Sequence, residues 1–194
     1  MRFLFVAIAL AVTTAGPATA QPDAASPSAP PSELGPELWD GARVGMGQED
    51  IVRRFPAAVA TPGELLPSGA KSALVLATPF GGGPARLQFY FDAQGGLAEV
   101  IADRGDVGAH HTDDNLAKAR ALGDRLAARY GKPGECAEQR SIASLTCTWV
   151  IGETKTILSY RDVAGATPSL SVSFRKRQDT PPWTPRAVRR LKPR

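Results

Sequence analysis

The stretch NLAKARALGDRLAARYGKPGEC, Asn115 to Cys136, decides how the rest of the chain is read. Leu116, Ala119, Leu122, Leu126 and Tyr130 recur at spacings of three and four, which lays one apolar stripe along a helix. Asp114 precedes Lys118 at the favourable i,i+4 offset, Thr112 or Asp113 can cap the start, and Gly131 followed by Pro133 ends it. Runs with a period of two come next. Leu145, Cys147, Trp149 and Ile151 alternate with Thr146, Thr148 and Val150, Gly152-Glu153 turns the chain into Thr154 to Arg161, and Leu170, Val172 and Phe174 alternate with Ser169, Ser171 and Ser173. The last run is an antiparallel strand with one face buried and one open.

The same order stands earlier in the chain. In GMGQEDIVRRFP, Gly45 to Pro56, residues Ile51, Val52 and Phe55 fall on one helical face, Glu49 and Asp50 suit the positive end of the dipole, and Pro56 stops the helix. So short a helix is marginal alone and needs a surface to pack against. Ala73 to Thr78 is an apolar strand run, Leu87, Phe89 and Phe91 alternate with Gln88, Tyr90 and Asp92, and Leu97 to Asp103 follows the turn at Asp92 to Gly96. The expected fold class is α+β: two tandem helix-plus-antiparallel-meander units, 39–106 and 107–177, with helices packed on antiparallel sheet.

Residues 45–56, with their Gly-Met pair and a short helix ending before Pro, resemble the opening of the small periplasmic modules typified by the outer-membrane assembly lipoprotein BamE. Two such modules in tandem are similar to the β-lactamase inhibitory protein. That resemblance implies repeats whose helices pack on an antiparallel sheet and whose concave sheet face binds a partner. Gly47 stands where a Ser or Thr cap is usual, and no lipid-bearing cysteine follows the leader.

The ends of the chain bear on where it works. MRFLFVAIALAVTTAGPATA places Arg2 ahead of a short apolar run and then Ala18-Thr19-Ala20, the pattern of a secretory signal peptide cleaved near Ala20/Gln21. The expected location is periplasmic or secreted, with no transmembrane segment in the mature chain, since no later run approaches the roughly 20 apolar residues that spanning needs. Residues 21–38, rich in Pro, Ala and Ser, read as a disordered linker. At the other end, Arg175 to Arg194 carries eight basic residues against Asp179, a net charge of plus seven, so the region between leader and tail is mildly acidic although the whole chain is +4.

The basic, Pro-rich tail 178–194 joins Trp183 to Arg186, Arg189 and Arg190. An indole beside a cationic run suits anionic lipid or lipopolysaccharide headgroups, where each Lys or Arg contributes about 1 kcal/mol. Specific nucleic-acid recognition is not indicated. The two cysteines, Cys136 and Cys147, form an even pair in an oxidising compartment and are expected as a structural disulfide.

Chemistry that would make an enzyme is sparse. His110-His111-Thr112-Asp113-Asp114 holds both histidines, but a metal needs three or four converging ligands, and the run reads as linker and helix cap; His111 and Asp114 would be the pair if metal bound. Gly81-Gly82-Gly83 lacks the Lys-Ser/Thr continuation of a phosphate loop, and no GxSxG or SxxK occurs. No cofactor is expected. The leading expectation is an exported, non-enzymatic binding or scaffold module that recognises an envelope protein through an open sheet face, where Tyr90 points away from the core. The alternative is a metal-dependent or hydrolytic enzyme centred on His110 to Asp114.

Overall fold

The computed structural model describes residues 34–109 and 111–178. The expected signal peptide, most of the linker, His110 and nearly all of the basic tail, with Trp183, Arg186, Arg189 and Arg190, lie outside the described residues. In chain order the elements are β1 (Glu37–Trp39), β2 (Ala42–Arg43), α1 (Gln48–Arg54), β3 (Val59–Ala60), β4 (Lys71–Phe80), β5 (Gly83–Phe91), β6 (Leu97–Arg104), α2 (Thr112–Tyr130), β7 (Glu135–Gln139), a 3-10 turn (Arg140–Ile142), β8 (Ser144–Ile151), β9 (Thr154–Arg161) and β10 (Ser169–Lys176). The fold is α+β and mostly strand.

Eight strands make one antiparallel sheet in the order β3-β4-β5-β6-β10-β9-β8-β7. Every sequential strand pair within β3–β6 and within β7–β10 is a neighbour, joined by connections of two to ten residues. Asp92 shows how: its Oδ1 accepts from the backbone N–H of Gln94 (2.9 Å) and Gly96 (3.0 Å), pinning the β5–β6 turn. The one long connection is α2, which carries the chain from β6 at the centre to β7 at the edge. Its 19 residues span about 28 Å, more than the roughly 19 Å across those strands.

Alternation puts Leu74, Leu87, Phe89, Val100, Val172, Phe174, Leu158, Tyr160 and Trp149 on one face, in one buried cluster with Ile51 of α1 and Leu116, Ala119, Leu122 and Leu126 of α2. Each such side chain contributes about 1.5–3 kcal/mol by leaving water. Trp149 has a polar end to satisfy, and its Nε1–H donates to the Gly131 carbonyl at 2.9 Å, which fixes the end of α2 against β8. Phe55, just past α1, stacks between Trp39 (5.2 Å) and Phe89 (5.6 Å).

Several expectations change. The linker was expected to run to residue 38, but Leu38 is only 4% exposed in the core and β1 begins at Glu37. Trp39-Asp40-Gly41-Ala42 is a tight hairpin whose central residues both have positive φ, 43° and 82°. Val52 does not share the buried face of Ile51; it is 39% exposed, because a helix of seven residues buries a single position. Thr112 and Asp113 do not cap α2. His111 is the N-cap residue, Thr112 Oγ1 donates instead to Asp162 Oδ2 at 2.7 Å, and the buried Asn115 exchanges hydrogen bonds with both backbone groups of Gly108.

Candidate functional site: the open face of the sheet

The sheet face turned away from the core carries half-buried and exposed side chains along most of its length. Strand registers line these up in rows. Val75, Gln88, Ile101, Ser173, Ile157 and Thr148 lie opposite one another across six neighbouring strands. A second row holds Arg86, Asp103, Ser171, Ser159 and Thr146, and a third holds Ser72, Tyr90, Glu99, Arg175, Lys155 and Val150. The middle rows are small and polar with two isoleucines. The third is divided by charge, with Glu99 on one side of its centre and Arg175 and Lys155 on the other.

Polar groups near the centre of this face are tied to one another. Gln88 Nε2 donates to Asp103 Oδ2 at 2.7 Å, and Ser173 Oγ donates to Glu99 Oε1. Burial raises the Asp103 carboxyl above its usual range, against the lowering effect of Gln88 and Arg86. The Tyr90 phenol is pushed up to about 12, first by burial and then by Glu64, Asp103 and Glu99. Ser72 Oγ, buried opposite Tyr90, has no partner among the described residues.

Tyr90 is where the sequence-based site and the structure part. It does lie on the face away from the main cluster, as alternation requires. It is nonetheless only 2% exposed, so it is a packed residue and not a contact surface. What the open face offers a partner is instead Ile101, Ile157, Thr148, Ser159 and Ser171, residues whose outward parity was legible in the strand alternation.

The other expected positions are placed as follows. Cys136 and Cys147 are register partners on β7 and β8 and form the disulfide. His111 Nδ1 lies 3.9 Å from Asp114 Oδ2, with both side chains well exposed, and among the described residues no group of three or more His, Cys, Asp or Glu could hold a metal ion. Gly81-Gly82-Gly83 is a close-packed turn: Arg104 donates to the Phe80 and Gly81 carbonyls at 3.2 and 3.1 Å while forking onto Asp106, and Arg125 also donates to Gly81. No helix among the described residues is long and apolar enough to cross a membrane.

No protein-family model matches the chain, and no curated protein matches its sequence. Among solved structures, a DUF4309 family protein, YjgB, from Bacillus subtilis is similar at 11% identity and a TM-score of 0.38, over 73% of this chain and 86% of that chain.

Proposed function

We propose that this chain is an exported, non-enzymatic binding module that acts in the periplasm or outside the cell and recognises an envelope protein across the open face of its sheet, with the basic tail adding contact to an anionic surface. The observation that carries this reading is the face itself. Rows of Ser, Thr and Ile continue across the strands contributed by both halves of the chain, which is a broad surface for a protein partner. Part of the same proposal is that the chain is one helix-plus-meander module used twice, its helices packed on one side of the sheet. The order α1-β3-β4-β5-β6 is matched by α2-β7-β8-β9-β10, and the two sets meet through β6 and β10.

The test is site-specific photo-cross-linking in the source cell envelope. A cross-linker at Ser171 on the open face is expected to capture one defined protein that a cross-linker at the exposed Asp124 of α2 does not. Ile157→Arg, in the middle of the face, is expected to lower that capture at least tenfold, whereas His111→Ala leaves it unchanged. Equal capture from both positions, or capture indifferent to Ile157→Arg, would remove the sheet face from the proposal.

A further inference from the structure

We propose that the corner of the open face where β8, β9 and β10 end is an anion-binding site for a phosphate group, held by Lys132, Lys155 and Arg177. It is built on the folded strands and is independent of the protein partner proposed above. A cleft of about 750 Å³ lies here, lined by these three cations together with Glu135, Thr148 and Trp149 among others. That volume falls in the range of small-ligand sites.

The register explains why the charges converge. Arg175 on β10 is directly opposite Lys155 on β9. Arg177 continues β10, its N–H donating to the Glu153 carbonyl at 2.6 Å, and by alternation it shares the face of Arg175. Lys132 arrives from the other side, on the connection between α2 and β7. That connection is fixed by the left-handed Gly131 (φ 83°) and by the Gly134 N–H on the Thr148 carbonyl at 2.9 Å.

Like charges directly opposite across a strand pair are destabilising unless something relieves them. Here the relief is one-sided, reaching Arg175 and not Lys155. Among the described residues Glu135 is the one carboxylate lining the cleft, and neither Lys132 nor Lys155 makes a side-chain hydrogen bond or ion pair. Glu99, the register partner of Arg175 on β6, offsets Arg175, whereas the other register partner of Lys155 is Val150, which leaves Lys155 with no carboxylate opposite it. Trp149 contributes no donor, because its Nε1–H is already committed to Gly131. Recognition here is therefore by charge, with the Thr148 hydroxyl at the rim. A phosphate monoester, with a charge of about −1.5 to −2 at neutral pH and three acceptor oxygens, matches two unpartnered lysines, with Arg177 beside them, better than a single carboxylate does. The cleft exceeds a bare phosphate, leaving room for the group that bears it.

The experiment uses residues 21–194, with pyrophosphate as the soluble probe and phosphatidic acid against phosphatidylcholine vesicles as the headgroup probe. Calorimetric titration is run on the unaltered chain, on Lys132→Gln with Lys155→Gln, and on Arg53→Gln with Arg140→Gln as a control for net charge. Binding of at least one probe is expected, weakened tenfold or more by the Lys132/Lys155 change and by no more than twofold in the control. Its strength should fall steeply between 50 and 200 mM salt. Pyrophosphate alone being bound identifies a soluble phosphorylated ligand; retention on phosphatidic acid vesicles with the same dependence identifies a lipid headgroup. No binding of either probe, or equal loss in the Lys132/Lys155 variant and the control, overturns the site. A folded Lys132/Lys155 variant is checked by an unchanged thermal transition; Lys132 is exposed and Lys155 half-buried, and an altered transition is met by testing Lys132→Gln alone.

Discussion

Tyr90 illustrates how parity and exposure separate. Strand alternation assigns its side to the open face, but the residue is only 2% exposed, and its hydroxyl has no hydrogen-bond partner among the described residues. Tyr90→Phe should therefore change stability at neutral pH by less than about 1 kcal/mol, while Tyr90→Ala should cost about 3–5 kcal/mol as a large-to-small change in a packed site. The phenol adds a pH signature. Burial, as the leading cause, raises Tyr90 to about 12 and also raises Tyr130 and Tyr160, whereas an unfolded tyrosine ionises near 10. A raised folded value means that the native state holds the proton longer. The stability these phenols contribute is thus complete below about pH 10 and is lost as pH rises toward the folded values. Absorbance at 295 nm should stay flat past pH 10 and then rise together with unfolding. In Tyr90→Phe the alkaline midpoint should move upward, and a normal phenolate titration near 10 in the folded protein would refute the burial argument.

Elements were legible where periodicity was long and hidden where local geometry did the work. The span of β9 and the cores of β4, β5, β6, β8, β10 and α2 follow from alternation and the three-four stripe. β1, β2, β3 and β7 are short, and β7 is exposed at all five positions, so no apolar pattern announces it. The Asp40-Gly41 pair was the missed hairpin signal. The triple glycine shows what composition alone cannot say. At Gly81 an added Cβ would strike Leu122, a core residue 1% exposed, whereas at Gly82 it would meet the guanidinium of Arg125, the far end of an exposed side chain. Both have positive φ, so both substitutions are strained, but only the first forces the core to move. Gly81→Ala is expected to lower stability by about 2–4 kcal/mol and Gly82→Ala by about 1–2 kcal/mol in urea unfolding. Equal costs would mean that the loop, and not its seat on α2, carries the requirement for glycine.

At the scale of the whole molecule, the question is whether two halves with matching element order behave as one body. The sequence alone leaves this open, because alternation within a strand says nothing about which strand lies beside it; only the register shows β6 against β10 at the centre of one sheet. The core is likewise one cluster, running from Ile51 and Phe89 through Val100 and Val172 to Leu158 and Trp149. Separating the halves would bare the β6 and β10 edges together with Val100, Ala102, Val172 and Phe174, a cost too large for either half to meet alone. Unfolding should therefore be a single transition. The chain contains its own reporters, since Trp39 stacks on Phe55 beside β5 and Trp149 sits under the end of α2. With Trp183→Phe as background, Trp39→Phe leaves Trp149 to report β8, and Trp149→Phe leaves Trp39 to report the hairpin before α1. Each fluorescence midpoint in guanidinium should coincide with the far-ultraviolet circular dichroism midpoint of the same variant, with matching m-values. A Trp39 transition completed while half of the circular dichroism signal remains would instead describe two modules that fold separately and only then share a sheet.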